Sequence, residues 1–318
     1  MTFLNCTRSI SGRWSLLLTG GLLVSSIAFG QEAKPVSPVI KINEAAATAP
    51  IESTPLRDSL TMLSGSGGNI TVLNGKEGQF LVDAGIAVSR PRVEAALRAL
   101  GSGPVKYVVN THYHWDHTDG NPWLHDLGAT IVGTAGTAKR VSTVTRVAFW
   151  DYTFQPLPAG GVPTDIVKKD KRYHFAGQTI EVKLARPSHT DTDLYVLFKE
   201  ANVASLGDLF WNGVYPFIDN EHGGGIDGMI AADDAILAQL KDDVVIVPGH
   251  GPVGTKKQLK DFRDMLAGIR DNVAALKKQG KTRDEVVAAK PTAKYDDVYG
   301  HFVIGPDFFA RIVYDGLK

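Results

Sequence analysis

The amino-acid sequence predicts an α/β domain in which strands and helices stack in layers. Three observations support this: apolar runs of strand length such as VVIV and DLYVLF, stretches of helical period between them, and many turn formers, with 33 Gly and 16 Pro in 318 residues. A helix bundle would lack the first feature and an all-β barrel the second. With 43% hydrophobic and 21% charged residues the chain matches ordinary globular usage, so it is neither fibrous nor a solvated coil.

The elements follow in order. Arg8 and Arg13 precede WSLLLTGGLLVSSIAFG, and Ala28 and Gly30 place small residues ahead of Gln31, the pattern of a cleaved signal peptide over residues 1–30. Thr19, Gly20, Gly21, Ser25 and Ser26 interrupt the apolar run, which is short for a span, so no stable membrane insertion is expected after cleavage. The expected location is periplasmic or secreted. The single cysteine, Cys6, precedes the apolar run and leaves the mature chain without a disulfide or a lipidated thiol. Residues 31–55, rich in Ala, Pro, Glu and Ser without sustained period, read as a flexible leader, and residues 56–318 as a single domain.

Within that domain ITVL and QFLVDAG are strands joined by the turn at Asn74–Gly75, with Asp83 closing the second. PRVEAALRALG is a helix with Pro91 near its start, Val93, Leu97 and Leu100 on one face, and Gly101 as its stop. VKYVVNTHYHWDH is a buried strand running into a histidine-rich loop, and ATIVGT is another short strand. The aromatic, Pro/Gly-containing segment from Val141 to Asp165 is expected to be partly irregular. QTIEVKLA, DLYVLFK and ANVASLGD are three strands, a helix starts near Ile226, and VVIVPGHG is a strand ending in a Gly-rich turn. Helical patterns follow over residues 256–278 and 282–289 and around 307–314.

Charge narrows the function. The chain has 34 basic and 34 acidic side chains, and since Arg8 and Arg13 are the only charges in residues 1–30, the remainder is mildly acidic. With no concentrated basic arm, nucleic acid is not an expected partner. A small-molecule substrate is expected instead.

The chemistry lies in five of the nine histidines. His112, His114 and His117 share THYHWDH with Asp116. Extended side chains repeat every two residues, so His112 and His114 point alike, and the following turn can bring Asp116 and His117 to an adjacent point. His189 in RPSHTDTD and His250 in VPGHGPV also sit where polar loops meet buried strands, and Asp208 ends the apolar segment ASLGD. Imidazoles and carboxylates in such number suit zinc, and a buried carboxylate at Asp208 needs cationic company.

HYHWDH, SHTDTD, GDLF and PGHG together resemble the metallo-beta-lactamase fold superfamily, from about Gly67 to Val253. The resemblance implies a four-layer αβ/βα sandwich with its site at one sheet edge. It implies two Zn2+ per chain, with iron or manganese less favoured: one metal on His112, His114 and His189, the other on Asp116, His117 and His250, and Asp208 bridging them. Asp83 is implied to support the histidine loop, and Asp116 to orient the nucleophile as well as bind metal. Two such metals lower the pKa of a shared water and polarise a carbonyl or phosphoryl oxygen, so a zinc-bound hydroxide acting on a carbonyl-type substrate is expected.

The Asp116, His117 and His250 set resembles the B3-type enzymes, which implies a beta-lactam among the candidate substrates. Asp208 departs from that branch, whose members carry a small hydroxyl residue there, and from the cysteine of B1 and B2 enzymes. It is similar to the lactonase, glyoxalase II thioesterase and phosphodiesterase branches. Trp115, Trp211, Tyr215, Phe217 and His222 are expected at the substrate rim, ordinary packing being the competing reading for the aromatics. Outside hydrolysis, the same ligands are compatible with a mononuclear iron persulfide dioxygenase or a metal-containing binding protein.

Overall fold

The protein is described by a computed structural model covering residues 37–317. The signal peptide expected over residues 1–30, with Cys6, lies outside the described residues. Strands come first because so many are apolar on both faces and must be covered on both. β1 (Glu52–Pro55), β2 (Leu60–Ser64), β3 (Ile70–Gly75), β4 (Gly78–Val82), β5 (Val105–Val109) and β6 (Thr130–Gly133) build most of one sheet. After a small ribbon of β7 (Thr145–Val147) and β8 (Tyr152–Phe154), β9 (Asp165–Ile166) completes it in the order β1-β2-β3-β4-β5-β6-β9. A second sheet holds β10 (Lys171–Phe175), β11 (Gln178–Leu184), β12 (Leu194–Phe198), β13 (Val203–Trp211), β14 (Val245–His250) and β15 (Gly254–Thr255), side by side in that order.

Alternation assigns the faces. In β4, Phe80 and Val82 enter the core shared by the two sheets while Leu81 points to the outer layer; in β13, Val203 points inward and Ala204 and Leu206 outward. Phe80 and Phe198 meet edge to face across the inner core with ring centroids 6.5 Å apart. Val93 and Leu97 of the helix Arg90–Leu100 cover the first sheet. Met229 of the helix Ile226–Leu237 and Leu259, Phe262 and Leu266 of the helix Lys256–Lys278 cover the second. The result is the αβ/βα sandwich expected from the sequence. No helix among the described residues is long and apolar enough to cross a membrane.

Parallel pairing is what gathers the site. β4 and β5 run parallel, so Asp83 after one and the histidine loop after the other leave the sheet at the same edge. β13 and β14 are parallel too, with Trp211 opposite His250. A register shift at Gly207, whose φ is 52°, turns the next residue, Asp208, out of the regular ladder.

One expectation is corrected. Residues 37–55 are not a flexible leader: Pro38–Ala46 is a helix, capped by the Ser37 hydroxyl on the Val39 amide, and β1 pairs antiparallel with β2. Val39 is fully buried, the Ser37 hydroxyl donates to the Trp150 carbonyl, and Arg92 donates to the carbonyls of Ala46 and Ala49. The helix escapes sequence reading because it buries only Val39 and Ala46, too few positions to show a period. The segment expected to be irregular contains the β7–β8 ribbon. If the docked helix is structural, Val39→Ala should cost about 1–3 kcal/mol in denaturant unfolding through the cavity it leaves, whereas Ile40→Ala, at 41% exposure, should stay within about 0.5 kcal/mol.

Candidate metal centre

The loop after β5 delivers four of the expected ligands in six residues. His112 follows directly on the strand exit, and His114 starts a single helical turn, Trp115–Thr118, that swings Asp116 and His117 back. His189 comes from the β11–β12 loop, Asp208 from β13 and His250 from the end of β14. All seven are buried, at 8% exposure or less.

They form two sets of donors. In the first, Nδ1 of His114 lies 3.0 Å from Nε2 of His112 and 2.9 Å from Nε2 of His189. In the second, Nε2 of His250 lies 3.3 Å from Oδ2 of Asp116, and Nε2 of His117 lies 3.7 Å from the same oxygen. Asp208 stands between the sets. Its Oδ2 is 3.2 Å from His189 and 3.7 Å from His112, and its Oδ1 is 3.1 Å from His117 and 3.5 Å from His250.

Each imidazole is aimed by what its other nitrogen does. Nδ1 of His189 donates to the Phe217 carbonyl at 2.8 Å, and Nε2 of His114 donates to Asp219 at 3.0 Å. Nδ1 of His117 donates to Asp83 at 2.8 Å. The Thr111 hydroxyl donates to Asp83 at 2.9 Å and so accepts from Nδ1 of His112 at 3.1 Å. The inward nitrogens of His112, His114 and His189 are therefore lone pairs, and three lone pairs converging at hydrogen-bond distance repel unless a cation lies among them. In the other set, Nε2 of His117 and of His250 and Oδ1 of Asp208 are buried with no hydrogen-bond partner. Both sets fit divalent metal ions.

The electrostatics agree. Burial opposes charge on His117 and His250, but the carboxylates of Asp208 and Asp116 outweigh it, holding His117 well above the ordinary imidazole range and pushing His250 up to about 9. Burial prevails at His112, held well below that range, and at His189, pushed down to about 4. Asp208 stays ionised despite burial because His117 and His250 face it. Asp116 and Asp208 thus favour positive charge at this set, which a proton or a metal ion can supply.

The supporting shell is partly as expected. Asp83 takes three hydrogen bonds, from the Thr111 amide and hydroxyl and from His117, while its own backbone sits at φ 67°. Asp tolerates that left-handed conformation better than most residues, and here the strain is held at a working residue. A Cβ on Gly68 would collide with the His117 ring and one on Gly249 with Oδ1 of Asp208, so backbone passes where no side chain fits.

Two further acids were not singled out from the sequence. Asp219 accepts from His114, Tyr113 and His222, and these bonds keep it ionised below the usual range although burial works the other way. Asp193 accepts from Ser188 and Thr190 and so braces the loop that carries His189. The sequence signal for Asp219 was weak: it sits in FIDNEH, where an acid reads equally well as the helix cap it also provides.

The expected rim divides. Trp115, Trp211 and Phe217 line the cavity over the metal positions. Tyr215 does not: it is fully buried, stacks on Phe309 at 4.8 Å, and donates its hydroxyl to Asp296 at 2.9 Å. His222 lies behind His114, held by Asp219 at 2.9 Å, rather than on the cavity wall. In their place Trp150, Ile42 and Phe302 form walls.

The sequence model described as Metallo-beta-lactamase superfamily matches residues 63–250, more than half of the chain. The chain belongs to this superfamily. The hydroxyacylglutathione hydrolase of Polaromonas sp. is 27% identical over 215 residues, 65% of this chain and 72% of that one. A probable hydroxyacylglutathione hydrolase of Schizosaccharomyces pombe is 29% identical over 149 residues, 46% of this chain and 48% of its own length. Among solved structures, a sec-alkylsulfatase from Pseudomonas sp. superposes with a TM-score of 0.63 at 17% identity, over 87% of this chain and 52% of that one. A metallo-beta-lactamase from Pontibacter korlensis gives 0.57 at 20% identity, over 68% and 99%. The chain thus spans about half the length of the sulfatase and of the S. pombe relative. These structures share its fold, and with the two ligand sets in place the protein is a metal-dependent hydrolase of the superfamily.

Because Asp219 aims His114, Asp219→Ala should weaken metal binding about 10- to 100-fold in competition with a chromophoric chelator. Asp219→Asn, which keeps an acceptor, should lose less.

Proposed function

We propose that the protein hydrolyses a carboxylic thioester or ester with two zinc ions bound, and that beta-lactams are at most secondary substrates. The observation that carries this reading is the Asp208 carboxylate, with one oxygen turned to each ligand set. An acid so placed would contribute to holding an ion in each set, and two such ions could cooperate in hydrolysis. When bound, the ions supply a nucleophile from water at neutral pH and draw charge from the substrate carbonyl.

The protein's own residues do the rest. Asp116 reaches the cavity, and its carboxylate accepts a hydrogen bond from the attacking water and then the proton. Trp211 and Phe217 exclude bulk water from that exchange. Among the described residues, no lysine, tyrosine or serine lines the cavity over the metals, which leaves none of these groups to protonate a departing amide nitrogen. A departing amide nitrogen would depend on the one proton that Asp116 has taken up, whereas a thiolate needs none; that difference favours thioesters over lactams, as does the similarity to proteins named hydroxyacylglutathione hydrolases.

Zinc-loaded protein assayed with acyl thioesters, lactones, phosphodiesters and a chromogenic cephalosporin should turn over a thioester with the highest kcat/KM, and Asp116→Asn should lower kcat on the order of 10²- to 10⁴-fold. A cephalosporin preferred over every thioester, or a single iron with oxygen consumption, would refute the reading. The same proposal places the reaction in the periplasm or outside the cell, following the export signal read from the sequence. N-terminal sequencing of the mature protein should then begin at Gln31, and an intact Met1 would overturn that placement.

A further inference from the structure

The cavity over the metals is walled partly by segments outside the family-matched residues 63–250. From the N-terminal side, the helix Pro38–Ala46 contributes Ile42; from the C-terminal side, the loop before the helix Pro306–Gly316 contributes Phe302 and Val303. Phe302 stands 6.2 Å from the His250 ring and 6.3 Å from Trp211, so it reaches almost to a metal ligand. Yet it is 48% exposed and Val303 is 40% exposed. Large apolar side chains displayed together at the mouth of a site, with Trp150 and Trp211 behind them, form a surface that gains by covering apolar matter.

Charge points the same way. Among the described residues, no lysine or arginine lines this cavity. A larger cleft of about 340 Å³ shares the wall formed by His114 and Trp115, and of its described lining residues Arg140 alone is a lysine or arginine. That guanidinium is engaged by Asp191 at 2.5 Å and lies over the Tyr113 ring at 5.1 Å. A glutathione leaving group, a tripeptide with free carboxylates, would meet no available lysine or arginine among the described residues of either space. Trp115 itself is fixed between them, its indole donating to Asn43 at 3.0 Å and stacked on Phe154 at 5.2 Å.

We infer that the substrate is a neutral thioester or ester with an apolar, ring-bearing acyl group, held between Ile42 and Phe302, and that these two terminal segments set the specificity. This rests on the hydrolase reading above and narrows it: the relatives named for a glutathione conjugate and this chain would share the reaction but not the substrate.

The test uses the zinc-loaded full chain and three thioesters: the phenylacetyl and acetyl thioesters of N-acetylcysteamine, both neutral, and S-lactoylglutathione. The phenylacetyl compound should have the highest kcat/KM, at least about tenfold above S-lactoylglutathione. Phe302→Ala and Ile42→Ala should each shrink the preference for phenylacetyl over acetyl by about tenfold, while Leu184→Ala, an exposed apolar change on the second sheet, should leave it intact. Calorimetric binding of 4-phenylbutan-2-one, a neutral and unreactive ketone, should weaken about tenfold in the same two variants. A preference for S-lactoylglutathione, or ketone binding that neither variant alters, overturns the inference. If none of the three is cleaved, the thioester reading falls, but the ketone measurement still decides whether the apolar site exists.

Discussion

A buried carboxylate that no hydrogen-bond donor fully satisfies is the constraint on which the rest of this structure turns. Asp208 is 3% exposed, and taking such a charge out of water is tolerated only with opposite charge on several sides. Four imidazoles surround it, from three different parts of the chain. None of them closes good hydrogen-bond geometry on Oδ1. That combination, attraction without satisfaction, is the imprint of an ion, and it explains why the surrounding shell is so heavily braced. Three of the imidazoles around Asp208 are tied at their far nitrogen, because an imidazole free to rotate would hydrogen-bond the carboxylate directly and close the metal position.

The two sheets exist, in this view, to hold the strand ends still. The inner core is apolar and interlocked, with Phe80 reaching across to Phe198, so the edges where Asp83, the histidine loop and His250 emerge cannot slide against one another. Local irregularity is confined to where chemistry needs it: the register shift at Gly207, the left-handed backbone of Asp83, and two glycines that let main chain pass against His117 and Asp208. A regular ladder through β13 would point Asp208 into one face of the sheet instead of at the shared edge.

How much of this was legible in the sequence follows from the range of the interactions. THYHWDH could be read because two-residue alternation and one turn place its side chains with no knowledge of the fold. His189, His250 and Asp208 were legible through their position at the ends of apolar runs, although only the pairing of β13 with β14 brings the last two together. Tyr215 and His222 were misplaced for the opposite reason. Both lie within a few residues of Phe217, which does line the cavity, but Tyr215 turns into the helical layer against Phe309 and His222 turns behind Asp219. In irregular chain, neighbours in sequence need not share a face. The helix Pro38–Ala46 was missed because its stability comes from docking onto Trp150 and Arg92, contacts more than forty residues away that leave no local period.

The same distinction between local and distant determinants separates reaction from substrate. The residues that prepare water and carbonyl lie inside the span shared with the superfamily, on rigid strand ends, and their geometry leaves little freedom. The residues that meet the rest of the substrate lie partly outside it, on a short helix held by a few contacts and on a loop with half-exposed side chains. Such segments can change composition without disturbing the sandwich, since few core contacts depend on them. A chain of this fold can therefore keep Asp208 and its imidazoles fixed and alter what it cleaves by replacing Ile42 and Phe302. For this protein the apolar terminal walls are thus the part of the site that can vary while the metal ligands stay fixed.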